Sequence, residues 1–292
     1  MEYSIANFII RAEGRHHDIA ASGLRSFKPF EVAPCEERAA DMVLRLDVPL
    51  NEEEYPTERV ILEFDFENLY ATCDLARYAT GYRYTLYRNG KSYIFIKEDG
   101  SNIVESNIGC GEKMDISLLR FGIWIMFGIV IAPLGGIAIH SSVNVKDGKA
   151  LLCLGESGTG KSTHTRLRRE NIEGSWLLND DSPIIRMVDG KAVAFGSPWS
   201  GKTPCYISDS APIQGFLRLS QAPYNKIHRL SVLSAIGALL PSCPPAFSND
   251  TALQDNICDT LSEMIACTPV YHLECLPNAE AAQLSYSTIY SK

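Results

Sequence analysis

The chain has 292 residues, 46% of them hydrophobic, which is enough to bury more core than one average domain holds. Its formal net charge of -8 excludes a protein that grips nucleic acid or an anionic membrane through bulk electrostatics. The nine cysteines are scattered, odd in number and never spaced as CxxC, a pattern that excludes a disulfide scaffold or zinc ribbon and points to reduced thiols in the cytoplasm.

The opening "MEYSIANFIIRAEG" shows no basic start followed by a long apolar run and a cleavage site, so no secretory signal is expected. Next come β-rich runs, "MVLRLDVPL", "RVILEFDFENLYATC", "YRYTLYRNGKSYIFIKED" and "SNIVES". The Asn89-Gly90 pair between two aromatic runs predicts a tight hairpin. Residues 1–112 therefore read as a smaller, β-rich N-terminal domain without a catalytic constellation, in which Asp41, Asp47, Asp65 and Asp74 are surface charges. No internal repeat or low-complexity tract interrupts it.

The uncharged stretch from Phe121 to Ile139 is near the length of a bilayer span, but its glycines and Pro133 break it. It predicts a buried helix to about Ala132, a Pro-Gly-Gly turn and a short strand over Ile137 to Val143. From there the chain alternates apolar strands with helical segments. "KALLCL", Lys149 to Leu154, predicts a strand, and "GESGTGKS", Gly155 to Ser162, follows it and opens a helix. That is the G-x-x-x-x-G-K-[ST] phosphate loop in its required context.

The residue types fit the chemistry. Gly155, Gly158 and Gly160 let the backbone curl so that the N–H groups from Glu156, Ser157, Gly158, Thr159 and Gly160 through Lys161, Ser162 and Thr163 converge on phosphate oxygens. The helix start adds its positive end. Lys161 brings a mobile charge to the β and γ phosphates of ATP, and Ser162 offers a hydroxyl to Mg²⁺. "SWLLNDDSPIIR" supplies the acidic partner: a strand over Trp176 to Leu178 ends in Asn179-Asp180-Asp181. Two adjacent carboxylates allow one to serve the metal while the other acts as general base.

With "IHSSV", "GESGTGKST" and "LLNDD" in this order, the chain resembles the HPr kinase/phosphorylase-like family, whose P-loop fold is related to ATP-dependent phosphoenolpyruvate carboxykinase. The likeness runs from about residue 118 to 290 and includes "FGSPWSGK" and "VYHLECLPNAEAAQL". It implies an α/β (α+β) architecture in which residues 113–292 form the P-loop catalytic domain. It also implies that Ser162 binds Mg²⁺, that Asp180 is the base toward a substrate hydroxyl, that Asp181 reaches the metal, and that His140 approaches the reacting phosphate. Members of that family form hexamers, so a homo-oligomer is compatible with the likeness.

"FGSPWSGKTP", Phe195 to Pro204, reads as a mobile substrate loop with an exposed Trp199 and a charge-neutralising Lys202. His164 and Arg166 lie on the first turns after the loop, within reach of phosphate or base, whereas Arg168 and Arg169 read as a solvated helix face. Arg218 and Lys226 are lesser electrostatic candidates. No DxxG switch occurs, and the "NK" at Asn225 lacks its Asp two positions on, which disfavours a GTPase. The expectation is an ATP- and Mg²⁺-dependent kinase transferring the γ-phosphoryl group to a hydroxyl of a small molecule, peptide or protein, with no nucleic-acid or membrane partner. The alternative is a nucleotide-dependent binding module whose N-terminal domain engages a partner.

Overall fold

The computed structural model describes residues 1–35, 37–66, 69–110, 114–156, 158–201 and 203–290. It is a mixed α and β protein with two large curled sheets and a few helices, divided into two compact units. The first comprises Met1–Leu134 with Ala246–Gln254, and the second Gly135–Pro245 with Asp255–Lys292.

Among the described residues the first unit holds nine strands: β1 (Glu2–Ile5), β2 (Phe8–Glu13), β3 (Glu31–Val32), β4 (Met42–Arg45), β5 (Arg59–Phe66), β6 (Ala71–Tyr78), β7 (Gly81–Arg88), β8 (Lys91–Glu98) and β9 (Ile103–Ser106). Their order across the sheet is β3-β1-β2-β4-β9-β8-β7-β6-β5. The β7–β8 hairpin turns at Asn89 and Gly90, with φ of 52° and 72°, the left-handed pair that a two-residue primed turn requires. Among the described residues, α1 (Ile116–Ile131) is the α-helix that lies wholly in this unit, and Asp115 caps it by accepting from Leu118 N at 3.3 Å.

The boundary expected after residue 112 therefore lies later, after Leu134. The reason is packing. A Cβ at Gly122 would come within 2.1 Å of the Phe95 ring, so α1 lies directly on β8, and Phe127 meets Phe8 edge to face at 6.2 Å. Together with its following turn, α1 is long and apolar enough to cross a membrane. Leu119, Ile123, Met126 and Phe127 are all fully buried, as in a core helix.

In the second unit the strands are β10 (Gly136–Ala138), β11 (Ser141–Lys146), β12 (Lys149–Leu154), β13 (Trp176–Asp181), β14 (Ile184–Val188), β15 (Lys191–Phe195), β16 (Ser210–Gln221), β17 (Lys226–Arg229) and β18 (Val270–Cys275). The helices are α2 (Lys161–Asn171), α3 (Val232–Leu239), α4 (Thr251–Cys267), which begins in the returning segment of the first unit, and α5 (Ala279–Tyr290). The main path runs β10-β14-β15-β16-β12-β11-β13, and β18 pairs with both β16 and β17.

β12, β16 and β18 are parallel, while β11 and β13 are antiparallel additions. Leu151, Cys153, Leu217, Leu219 and Leu273 form one apolar sheet face, closed by Ile289 of α5. The single strand expected over Ile137 to Val143 is two strands, broken at Ile139 and His140. There Ile139 N bonds Pro183 O at 3.1 Å and His140 N bonds Ser242 O at 2.7 Å.

Candidate functional site

The phosphate loop leaves β12 at Leu154 and enters α2 at Lys161. Gly155, Gly158 and Gly160 have φ of 144°, 84° and 103°, a region that side-chain-bearing residues avoid. A Cβ at Gly155 would sit 2.6 Å from Thr159 Oγ1 and 3.1 Å from Leu219 O, whereas Gly158 and Gly160 face open space. Thr159 closes the turn by donating from N and Oγ1 to Glu156 O, at 3.2 and 2.9 Å. Lys161 Nζ folds back to donate to Gly155 O and Glu156 O, at 2.7 and 3.1 Å. Burial holds its ammonium below the ordinary lysine range, and the nearby Asp181 and Asp180 charges oppose that shift. Ser157, the remaining member of the expected cradle, lies outside the described residues.

Strand register brings the acidic pair to the same level. β13 pairs with β11 through Asp180↔Ser142 and Asp181↔Ser141, and β11 pairs with β12 through Ser142↔Cys153. Ser142 Oγ donates to Thr165 Oγ1 at 3.0 Å, and Thr165 Oγ1 donates to Ser162 O at 3.1 Å, which pins the first turn of α2 to the sheet. Ser162 Oγ then donates to Asp180 Oδ1 at 3.1 Å. Asp180 is buried at 5% exposure, while the Asp181 side chain is 38% exposed and its Oδ1 lies 3.1 Å from His140 Nδ1. The same ring nitrogen is 3.2 Å from Asp181 O. The expected division of labour gave Asp181 to Ser162's metal, yet the hydroxyl meets Asp180.

Asn179 is fully buried behind this pair. Its amide donates to Ser197 Oγ at 3.2 Å and Trp199 O at 3.0 Å, and its Oδ1 accepts from Ser182 N at 3.0 Å. It thus fastens the segment from Ser197 to Trp199 to the strand that carries the carboxylates, and Gly201 N donates to Asp180 O at 2.7 Å. Trp199, expected to be exposed, is 3% exposed, because its backbone is a partner in that network and its indole fills the interior. Lys202 lies outside the described residues.

Beyond the loop, α2 divides its charges differently from the expectation. Arg166 pairs with Glu170 at 2.7 Å on the exposed face. Arg168, expected in solvent, is fully buried. Its Nη1 donates to Ser285 Oγ at 2.7 Å, and its guanidinium lies 5.4 Å from the Tyr290 ring centre. The helix docks on α5, which turns Arg168, in its third turn, inward. His164 is buried too, 3.1 Å from Ser285 Oγ, and burial with the Arg168 charge pushes its pKa down to about 3. It is a neutral wall of the site rather than a phosphate-binding cation.

Two clefts flank the loop, and sequence patterns gave little sign of them. The larger, about 620 Å³, is walled by Thr163, Leu167, Leu219, Pro223, Leu276 and Pro277. The smaller, about 470 Å³, adjoins Gly155 and Glu156 and is lined by Arg218, Ser220 and His272. Gln221 borders both and donates to Gly158 O at 3.1 Å. Ser220 Oγ lies 2.9 Å from His272 Nε2, and burial lowers the pKa of that histidine. Outside the expected phosphate cradle, which supplies Gly155, Glu156, Gly158 and Thr163, only Arg218 of these residues carried a sequence signal. Parallel pairing of β16 with β18 assembles the rest, and Lys226 lines neither cleft.

Among the described residues, no group of three or more His, Cys, Asp and Glu side chains is arranged to hold a metal by itself. No protein-family model matches this chain, and none of the curated proteins compared with it matches.

Proposed function

We propose that this chain is an ATP- and Mg²⁺-dependent kinase that moves the γ-phosphoryl group to a hydroxyl of a small molecule, peptide or protein. The observation that carries the proposal is the paired contact beside the phosphate loop, Ser162 to Asp180 and His140 to Asp181, each at 3.1 Å. A loop that only bound nucleotide would have use for the first contact alone. The same reading places the second unit among P-loop kinase folds of the HPr kinase and phosphoenolpyruvate carboxykinase type, and its setting in the cytoplasm accords with nine free thiols.

Mg²⁺ at a nucleotide site keeps several waters and takes one or two protein oxygens besides phosphate, so the Ser162 hydroxyl with the Asp180 carboxylate fits it without a preformed cage. When bound, it would neutralise charge on the phosphate oxygens. Loop N–H groups and Lys161 hold the transferring group, and the apolar larger cleft takes the nucleobase. The exposed Asp181 accepts the proton of the acceptor hydroxyl, and His140 fixes the orientation of its carboxylate. This assigns the base to Asp181 and the metal to Asp180, the reverse of the division implied by the family resemblance.

The test is a transfer assay on the purified full chain with γ-labelled ATP, Mg²⁺ and a panel of hydroxyl acceptors that includes free serine, sugars and serine-containing peptides. Labelled product is expected with at least one acceptor class. ATP binding without any product across the panel would overturn the kinase and leave a nucleotide-dependent binding module.

A further inference from the structure

The outermost strand of the first unit, β5, ends the sheet, and among the described residues no strand pairs with its outer edge. Such an edge presents unpaired backbone N–H and C=O groups, which proteins ordinarily blunt with proline, lysine or a covering segment. β5 contains neither proline nor lysine, and its register shift, between Val60 and Leu62, comes before the stretch from Glu63 to Asp65. Asn249 Nδ2 caps the Ile61 carbonyl at 2.9 Å, and Phe121 packs on Phe66 at a centroid distance of 4.7 Å, so the covering is confined to the two ends. Between them Glu63, Phe64 and Asp65 are exposed, Phe64 at 53%.

The two faces beside this edge differ. Register places Glu63 opposite Asp74 and Asp65 opposite Thr72, which in turn faces Tyr87, on one face of the sheet. Two adjoining clefts, of about 380 and 500 Å³, open on that face and share Asp65, Thr72 and Tyr87. Glu63 and Asp65 have no ion-pair partner among the described residues, while the cation bordering the groove, Arg88, is already held by Asp115 at 2.7 Å. Phe64 points to the opposite face, against Phe66 at 5.0 Å.

We propose that β5 is a docking edge for an extended polypeptide segment that alternates basic with apolar residues. Added as a further strand, such a segment sets its Lys or Arg side chains over Glu63 and Asp65 and its apolar side chains beside Phe64, because successive residues of a strand point to opposite faces. A second copy of β5 is the wrong occupant. An antiparallel pair centred on Phe64 would place Glu63 opposite the copy's Asp65, like charge against like charge.

The test uses the full chain and a labelled peptide of about eight residues alternating lysine and valine, followed by fluorescence anisotropy at low salt. Saturable binding is expected, with no binding of the glutamate–valine counterpart. The E63Q/D65N variant should weaken binding about five to tenfold, whereas D255N/E263Q, an equal loss of charge on the exposed side of α4, should not. A lysine–valine peptide N-methylated at alternate residues keeps its charge but cannot complete the ladder, and it should fail to bind. Equal binding of the N-methylated peptide, or equal weakening by the two double variants, would overturn the proposal. So would E63Q/D65N protein that dimerises while its peptide binding is unchanged, which would make the carboxylates guards against self-association only.

Discussion

The Asp181 carboxylate meets the His140 ring at 3.1 Å across a break between two strands, while its neighbour Asp180 turns the other way, to the Ser162 hydroxyl. Adjacent residues on a strand point to opposite sides, so two carboxylates one position apart serve two different partners. D181N should lower the transfer rate by about 10²- to 10⁴-fold with ATP affinity nearly unchanged, the usual cost of removing a general base. D180N should instead weaken nucleotide binding in Mg²⁺ more than in its absence. Single-turnover rates and Mg²⁺-dependent binding titrations separate the two, and a D180N protein that binds Mg²⁺-ATP normally yet transfers nothing would restore the opposite assignment.

Asn179 donates to Ser197 and Trp199 O and accepts from Ser182 N in a fully buried position. Asn179→Leu keeps the branched shape but removes two donations and the acceptor of Ser182 N, while Ser197 Oγ and Trp199 O keep their bond to each other. The expected loss is about 1–3 kcal/mol in urea unfolding, the cost of one buried group left unpaired. A loss below about 0.5 kcal/mol would mean that the segment from Ser197 to Trp199 is not fastened through this side chain.

Gly196 and Gly237 offer a paired experiment. A Cβ at Gly196 would lie 1.9 Å from the backbone oxygen of Ile207, whereas one at Gly237, inside α3, meets nothing within 4 Å. Gly196→Ala should destabilise by about 1–3 kcal/mol or more, and Gly237→Ala should stabilise by about 0.5–1 kcal/mol by lowering the entropy of the unfolded chain. Thermal unfolding of both variants beside the parent checks the opposite signs.

His164 titrates near 6.5 when unfolded but only at about 3 in the folded chain. Below pH 6.5 the unfolded state therefore takes up a proton that the folded state refuses. Its contribution to stability is complete above pH 6.5 and falls by up to about 1.4 kcal/mol per pH unit as pH drops toward 3. Chemical denaturation at pH 7, 6, 5 and 4 should show this slope, reduced in His164→Gln. An equal slope in parent and variant would place the titrating group elsewhere.

What the sequence revealed is local backbone chemistry. The Asn89-Gly90 turn, the glycine-rich loop and the strand ending in Asn179-Asp180-Asp181 all depend on residues within a few positions of one another, so they could be read directly. What stayed hidden depends on register and docking. Arg168 reads as solvated because charge predicts solvent, and only the packing of α2 on α5 turns it inward. The glycines of "FGSPWSGK" suggest mobility, yet Gly196 is there to let two backbone segments touch. The lining of the two clefts comes from three separated segments that meet only once β16 lies parallel to β18.

The return of Ala246–Gln254 to the first unit has a practical consequence for dissecting the molecule. Severing the chain after residue 134 would strip that unit of Asp250, the acceptor for Tyr82 at 3.1 Å and Arg59 at 2.8 Å, and would leave in the other fragment a helix whose opening turn has lost its own neighbours. The two units are interleaved by two further passages of the chain, so fragments cut at one point are each incomplete. Separating them cleanly requires two changes together: residues 246–254 grafted onto the end of the first unit, and a short loop spliced in their place in the second.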